Sequence, residues 1–479
     1  MILLGKVDVI IHNGHMITME GTGVGYIESG AIAVEGNKIK EVGNSEDILR
    51  KYTAQQMIDA TNKLIMPGFI DAHIHTGISI FRGVAQDMSN WMQKGLWPFQ
   101  KHLRPDESVA GSMVNIIEGI KAGTTTFCDY DGRMDLIVHN YKKIGARARV
   151  AELVNEIPDN IGDLPVGELY PFDREIGKEK LKRNLDLYEE HHGTEDGRIS
   201  VILGPHGPDM MSLELLKEIQ YHAEKLDTKM HMHVAQGDRE ILQMEKRYGK
   251  RTIGFLEEHG FLNERLIAVH LTEATDQETE RVAKSGASMI YCAGSIGIID
   301  GMVPPVQVFL NAGGTACLGS DQAPGNNCNN MINEMKMSAI LNKVKYQDPR
   351  VFNATQALRM ATIEAAKVMG IADEVGSLAP GKKADIILLD LTSPTFFPVL
   401  TSPIRNIVPN LVYSARGDEV ETVIIDGKTV MKNRQILTVN EKIEIQKAQQ
   451  AAEQIAERAQ MDIKHADSDI LTMVRNGML

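Results

Sequence analysis

Residues 68–75 read Gly-Phe-Ile-Asp-Ala-His-Ile-His, a short apolar run that closes on two histidines two positions apart. Residues two apart on a strand share a face, so His73 and His75 can point the same way. Seven comparable runs follow: TTTFCDY (124–130), ARARVAELV (146–154), ISVILGPH (199–206), KMHMHVAQ (229–236), LIAVHL (266–271), ASMIYCAG (287–294) and TACLGSDQA (315–323). Their β-branched and apolar content suits strands buried on both faces, and the segments between them carry helix-length amphipathic patterns. PDESVAGSMVNIIEGIKAG (105–123) opens with acidic residues and stops at glycine, as helices do. Eight such βα units over residues 67–375 predict an α/β fold. Its expected form is a (β/α)₈ TIM barrel of about the usual 250-residue size, with insertions.

Outside that span the pattern changes. VDVIIHNGHMITM (7–19) turns on Asn13-Gly14, and AIAVEGNKIKEVG (31–43) on Gly36-Asn37. KADIILLDL (383–391) and VETVIIDGKTVMKNR (420–434), with Asp426-Gly427, repeat the same grammar near the other end. Each dipeptide predicts a β-hairpin, because such turns need φ > 0. Neither set of strands buries a good core alone. Residues 1–66 and 376–440 are therefore expected to form one small composite β-sandwich, leaving residues 441–479 as a C-terminal helical segment.

The chain has 479 residues, 43% apolar and 24% charged, which is ordinary for a soluble globular protein. A net charge of −13 argues against nucleic-acid or anionic-membrane partners, since phosphate binding needs clustered Lys and Arg. Four cysteines without a C-x-x-C pair, and an N-terminus lacking a cleavage signal, point to a reduced, cytoplasmic setting. No run approaches about 20 apolar residues, so no membrane span is expected. A small-molecule substrate is the partner this composition leaves open.

Polar residues that do not belong inside buried strands fall at the ends of these runs: His73, His75, His231, His233, His270 and Asp321. In a (β/α)₈ barrel that is the catalytic face. Imidazoles and a carboxylate gathered there are a donor set for Zn²⁺, and the same atoms accept Fe²⁺, Co²⁺ or Mn²⁺. Taken singly, each has a plainer reading: H-x-H as structural histidines, His270 as a core histidine, Asp321 as a helix cap. Their common position at strand ends favours the metal site.

KLIMPGFIDAHIHT (63–76), MHMHVAQ (230–236), AVHL (268–271) and LGSDQAP (318–324), in this order, resemble the amidohydrolase superfamily. GSLAPGKKADIILLD (376–390) resembles its β-sandwich signature, so the likeness spans nearly the whole chain. FRGVAQDMSNWMQKGLWPF (81–99) is similar to the branch holding S-adenosylhomocysteine and methylthioadenosine deaminases and atrazine chlorohydrolase-like enzymes. The resemblance implies His73, His75, His233 and Asp321 as ligands of one divalent ion. It also implies Asp321 and His270 as catalytic groups, and His206 as a substrate contact. Homo-oligomers are common among such proteins, although no interface is visible in the sequence.

Three positions depart from that branch. Its deaminases read H-x-x-E after the fifth strand, where a Glu protonates a ring nitrogen; this chain has His233-Val234-Ala235-Gln236. A lost general acid costs about 10²–10⁴-fold in rate. Cys292-Ala293-Gly294-Ser295-Ile296 replaces Asn-Pro-x-Ser-Asn, and Gln100 follows Trp97-Pro98-Phe99 where a ribose-binding acid is usual. Gln236, Trp97 and Gln100 are expected to face the substrate. The expected reaction is metal-dependent hydrolysis of a non-peptide C–N bond at an amide, urea or carbamate carbon, or removal of a substituted amine. Phenylurea and thiocarbamate hydrolases look like relatives with that chemistry. Ring deamination of a purine, pyrimidine, pterin or triazine is the alternative, and an inactive barrel with a binding role is a third reading.

Overall fold

The strand Phe69–His75 is buried at every position, as its apolar sequence requires, and pairs in parallel with Thr124–Asp131. The computed structural model describes residues 4–158, 164–165, 167–466 and 469–478. In it, all eight apolar runs form parallel strands. One sheet runs Gly204–Pro205, Arg147–Val154, Thr124–Asp131, Phe69–His75, Asp321–Gln322, with Ile199–Val201 also on Arg147–Val154. A second runs Met230–Val234, Leu266–His270, Ser288–Tyr291, Ala316–Leu318.

Backbone hydrogen bonds join the two arcs. The amide of His231 donates to Leu203 O at 2.9 Å and that of His233 to His206 O at 3.1 Å. At the other margin, Ala316–Leu318 continues within three residues into Asp321, which pairs with Ile74. Helices lie between successive strands, so the architecture is α/β. Their ends follow local chemistry: Thr275 and Glu278 form a capping box on Asp276–Lys284, and Gly145, at φ +89°, terminates Met134–Ile144.

Both chain ends contribute to one nine-stranded sheet, in which Lys63–Pro67 pairs antiparallel with Ile386–Asp390. Gly36-Asn37 and Asp426-Gly427 are hairpin turns, with Glu35 opposite Lys38 and Ile425 opposite Lys428. Asn13-Gly14 is not. The strand Gly5–Ile17 passes straight through it, with register shifts on either side of Gly14. The positive φ of Asn13 (+66°) is absorbed as a bulge, because strands on both flanks hold the chain extended.

Arg147, on the third parallel strand, ties this sheet to the body through Asp385 (2.7 and 3.0 Å) and Asp426 (3.3 Å), all three buried. The helix Glu441–Ala466 packs across Pro105–Lys121 and Trp97–Gln100, where Arg458 meets Glu107 at 2.6 Å and Lys101 meets Asp462 at 2.6 Å. No helix among the described residues is long and apolar enough to cross a membrane.

Candidate active site

The C-terminal ends of the parallel strands bring His73, His75, His233, His270 and Asp321 together, all buried. The ring Nε2 atoms of His73 and His75 each lie 3.5 Å from Asp321 Oδ1, and His233 Nε2 lies 3.2 Å from His73 Nε2. Donor atoms fall within 4.8 Å of one another in two trios, His73–His75–Asp321 and His73–His233–His270. Four non-glycine residues at this centre adopt positive φ: Ala235, His270, Leu271 and Asp321, at +51°, +77°, +55° and +61°. The region is uncommon for non-glycine residues, above all for Ala and Leu, which have no side-chain polar group to support it.

Surrounding carbonyls set the tautomers. His75 Nδ1 donates to Tyr130 O, and His233 Nδ1 donates to His206 O at 3.0 Å. A carbonyl only accepts, so both rings must present Nε2 lone pairs to the centre. Burial holds the His73 and His233 imidazoles well below their usual pKa, so they are neutral bases. Burial would raise the Asp321 carboxyl, but the His270 and His75 rings and the Ser295 hydroxyl, 2.5 Å from Oδ2, bring it below its usual value. Burial lowers His270 to about 4, and neither of its ring nitrogens has a hydrogen-bond partner among the described residues. A buried carboxylate among neutral imidazoles, beside an orphaned ring, is the donor chemistry a divalent cation requires.

A cavity of about 460 Å³ opens over this cluster, within the usual range for small-molecule sites. His206, Gln236, Trp97 and Gln100 line it, together with His75, His233 and Asp321. Lys180 Nζ donates to Asn155 Oδ1 at 2.8 Å, leaving Asn155 Nδ2 to donate to His206 Nδ1 at 2.9 Å. His206 therefore carries its proton on Nε2. Trp97 is packed with Phe81 and Ile455, so the C-terminal helix supports this wall from behind.

Several contributors escape sequence reasoning. Ser295 holds Asp321, and its signal was present as the one Ser kept from the branch's Asn-Pro-x-Ser-Asn pattern. Asp71, two residues before His73, accepts from Ser320 N at 2.9 Å and from its hydroxyl, bracing the eighth run against the first. Gly319 is needed at that junction: a Cβ there would sit 2.8 Å from His73 N. Asn155 has no motif of its own.

Parallel strands flanked by helices, with this histidine and carboxylate cluster at their C-terminal ends, define a metal-dependent hydrolase. Residues 64–430 match the model of the amidohydrolase family. The chain belongs to that family, and acts on non-peptide C–N bonds of small molecules. It is 34% identical over 416 residues to 5-methylthioadenosine/S-adenosylhomocysteine deaminase of Thermoanaerobacter pseudethanolicus, covering 86% of this chain and 91% of the relative. It is 33% identical to 5'-deoxyadenosine deaminase of Methanococcoides burtonii, covering 94% and 98%. Among solved structures, an adenosine deaminase from Xanthomonas campestris with bound zinc superimposes with a TM-score of 0.87 at 26% identity, covering 95% of this chain and 100% of that one. Atrazine chlorohydrolase from Arthrobacter aurescens TC1 shares the fold, with a TM-score of 0.81 at 19% identity over 93% of this chain and 100% of that one.

Proposed function

We propose that this enzyme hydrolyses the C–N bond of an amide, urea or carbamate, or expels a substituted amine, at a single metal centre. In this reading the two strand arcs form one closed (β/α)₈ barrel, and the protein works in the cytoplasm. His73, His75, His233 and Asp321 hold one Zn²⁺. Bound there, the ion would supply Lewis acidity and bring the pKa of water down toward neutrality. Asp321 takes the proton of the attacking water and delivers it to the leaving nitrogen. His270, whose nitrogens have no hydrogen-bond partner among the described residues, holds the attacking oxygen. The Nε2 proton of His206 is available to a substrate oxygen.

One observation carries the choice of substrate: Gln236 lines the cavity beside His233 where the deaminases of its branch carry Glu, while Asp300, raised to about 7 chiefly by burial, lines the adjoining cavity that Gln236 also borders and not this one. The lining carboxyls besides Asp321 are Asp131 and Glu152. Asp131 accepts from the amides of Gly77 and Gly132, and Glu152 from Arg183 and the amide of Met134. Addition to a ring carbon needs the ring nitrogen protonated, whereas a polarised carbonyl takes hydroxide directly. The similarity to adenosine-analogue deaminases favours ring deamination as the second reading. Ammonia and amine release from a panel of ureas, carbamates and aminoheterocycles separates the two. Turnover confined to aminoheterocycles would defeat the carbonyl reading, and the absence of turnover with metal bound would favour a binding role.

A further inference from the structure

We infer that His231 is a positioning residue that accepts the Nδ1 proton of His73 in its metal-binding tautomer, and that Cys128 Sγ holds the His231 ring in place; this rests on the metal site proposed above. His73 is the one proposed histidine ligand whose second nitrogen does not face a carbonyl. Its Nδ1 lies 2.8 Å from His231 Nε2, and His231 Nδ1 lies 3.3 Å from Cys128 Sγ. All three side chains are sealed from solvent, at 0%, 0% and 1% exposure, so no bulk water exchanges into the chain of contacts.

Two facing imidazole nitrogens share one proton between them. If it sits on His73 Nδ1, the Nε2 lone pair faces the centre, His231 accepts at Nε2, and the His231 proton lies on Nδ1 with the Cys128 sulfur as its acceptor. If it sits on His231 Nε2, His73 must carry its own proton on Nε2, pointing at Asp321 and His233 where a cation would stand. The carbonyls behind His75 and His233 permit only the first arrangement at those rings. His231 permits either at His73, because the buried Cys128 thiol can accept from His231 Nδ1 or donate to it; a cation at the centre needs the His73 Nε2 lone pair, and His231 answers it by accepting the Nδ1 proton. Outer partners of metal-bound histidines typically govern 10–100-fold in metal affinity.

The test is Zn²⁺ affinity of the metal-stripped full chain, measured by competition with a chromogenic chelator, alongside the melting temperature of each metal-free protein. His231→Leu is expected to bind Zn²⁺ about 10–100-fold more weakly. His231→Gln, whose carbonyl oxygen can accept from His73 Nδ1, is expected to restore most of that loss. Cys128→Ala, a change of one buried atom, is expected to weaken binding by a smaller factor and keeps the test open if His231→Leu does not fold. Binding by a folded His231→Leu at the affinity of the unaltered chain would overturn the inference while leaving the metal site standing. So would an equal loss in the Gln and Leu variants, which would reduce His231 to packing. An unaltered chain that binds no Zn²⁺ would overturn both this inference and the metal reading beneath it.

Discussion

The Glu240 carboxylate accepts a hydrogen bond from the backbone nitrogen of Gln236 at 2.8 Å, and another from that of Ala235 at 2.7 Å. This acid, four residues on from Gln236, is thus spent on the backbone of the loop. It also accepts from the Thr252 hydroxyl and is buried away from the cavity lining. Glu240 shapes the turn that presents Gln236 and supplies no proton to substrate.

Gln236→Glu is accordingly expected to add the missing acid without disturbing the loop, since the Glu240 contacts are to backbone. Deamination of aminoheterocycles should rise by about 10²-fold or more, the usual worth of a placed general acid. Steady-state ammonia release measures it. An inert variant with normal metal content would show that cavity shape, not the acid, decides the substrate.

Ser295→Ala removes the hydroxyl that donates to Asp321 Oδ2. A carboxylate that loses a donor becomes more basic, so the Asp321 carboxyl should titrate at higher pH. The acid limb of the kcat/KM profile should move upward, with little change on the plateau. An unmoved acid limb would mean that another group sets it.

Arg147→Met leaves the buried carboxylates of Asp385 and Asp426 without their shared cation. Breaking a buried pair on one side costs about 3–5 kcal/mol. Denaturant unfolding should reveal a loss of that order, with metal content unchanged. A loss below about 1 kcal/mol, the level of an exposed pair, would show that the contact is not a clamp between sheet and body.

Burial pushes the Glu334 carboxyl from 4.5 up to about 8, opposed by hydrogen bonds from Gly294 N and Asn326. Its folded pKa lies above its unfolded one, so its contribution to stability is complete below about pH 4.5 and falls as pH rises through about 8. Glu334→Gln should flatten part of that decline. Asp71, Glu240 and Asp300, each raised to about 7 chiefly by burial, contribute to the remainder. Unfolding free energies between pH 5 and pH 9 test the assignment; an unchanged slope in the variant would remove Glu334 from the account.

Period and spacing along the chain were enough to locate the parallel strands, the Gly36-Asn37 and Asp426-Gly427 turns, and the strand-end residues that meet at the centre. Those features depend on local geometry: side chains two apart share a strand face, and a buried strand must be apolar throughout. Asn13-Gly14 shows the limit. Its dipeptide chemistry demands a positive φ, but whether that bends the chain back or bulges it depends on the strands pairing at either side. The contacts behind the centre lie equally beyond local reading. His231 stands 158 residues from His73 and 103 from Cys128, and Ser295 stands 26 from Asp321. Sequence periodicity carries no term for such distances. Packing alone decided which buried donor met which buried acceptor, and therefore which lone pairs face the metal.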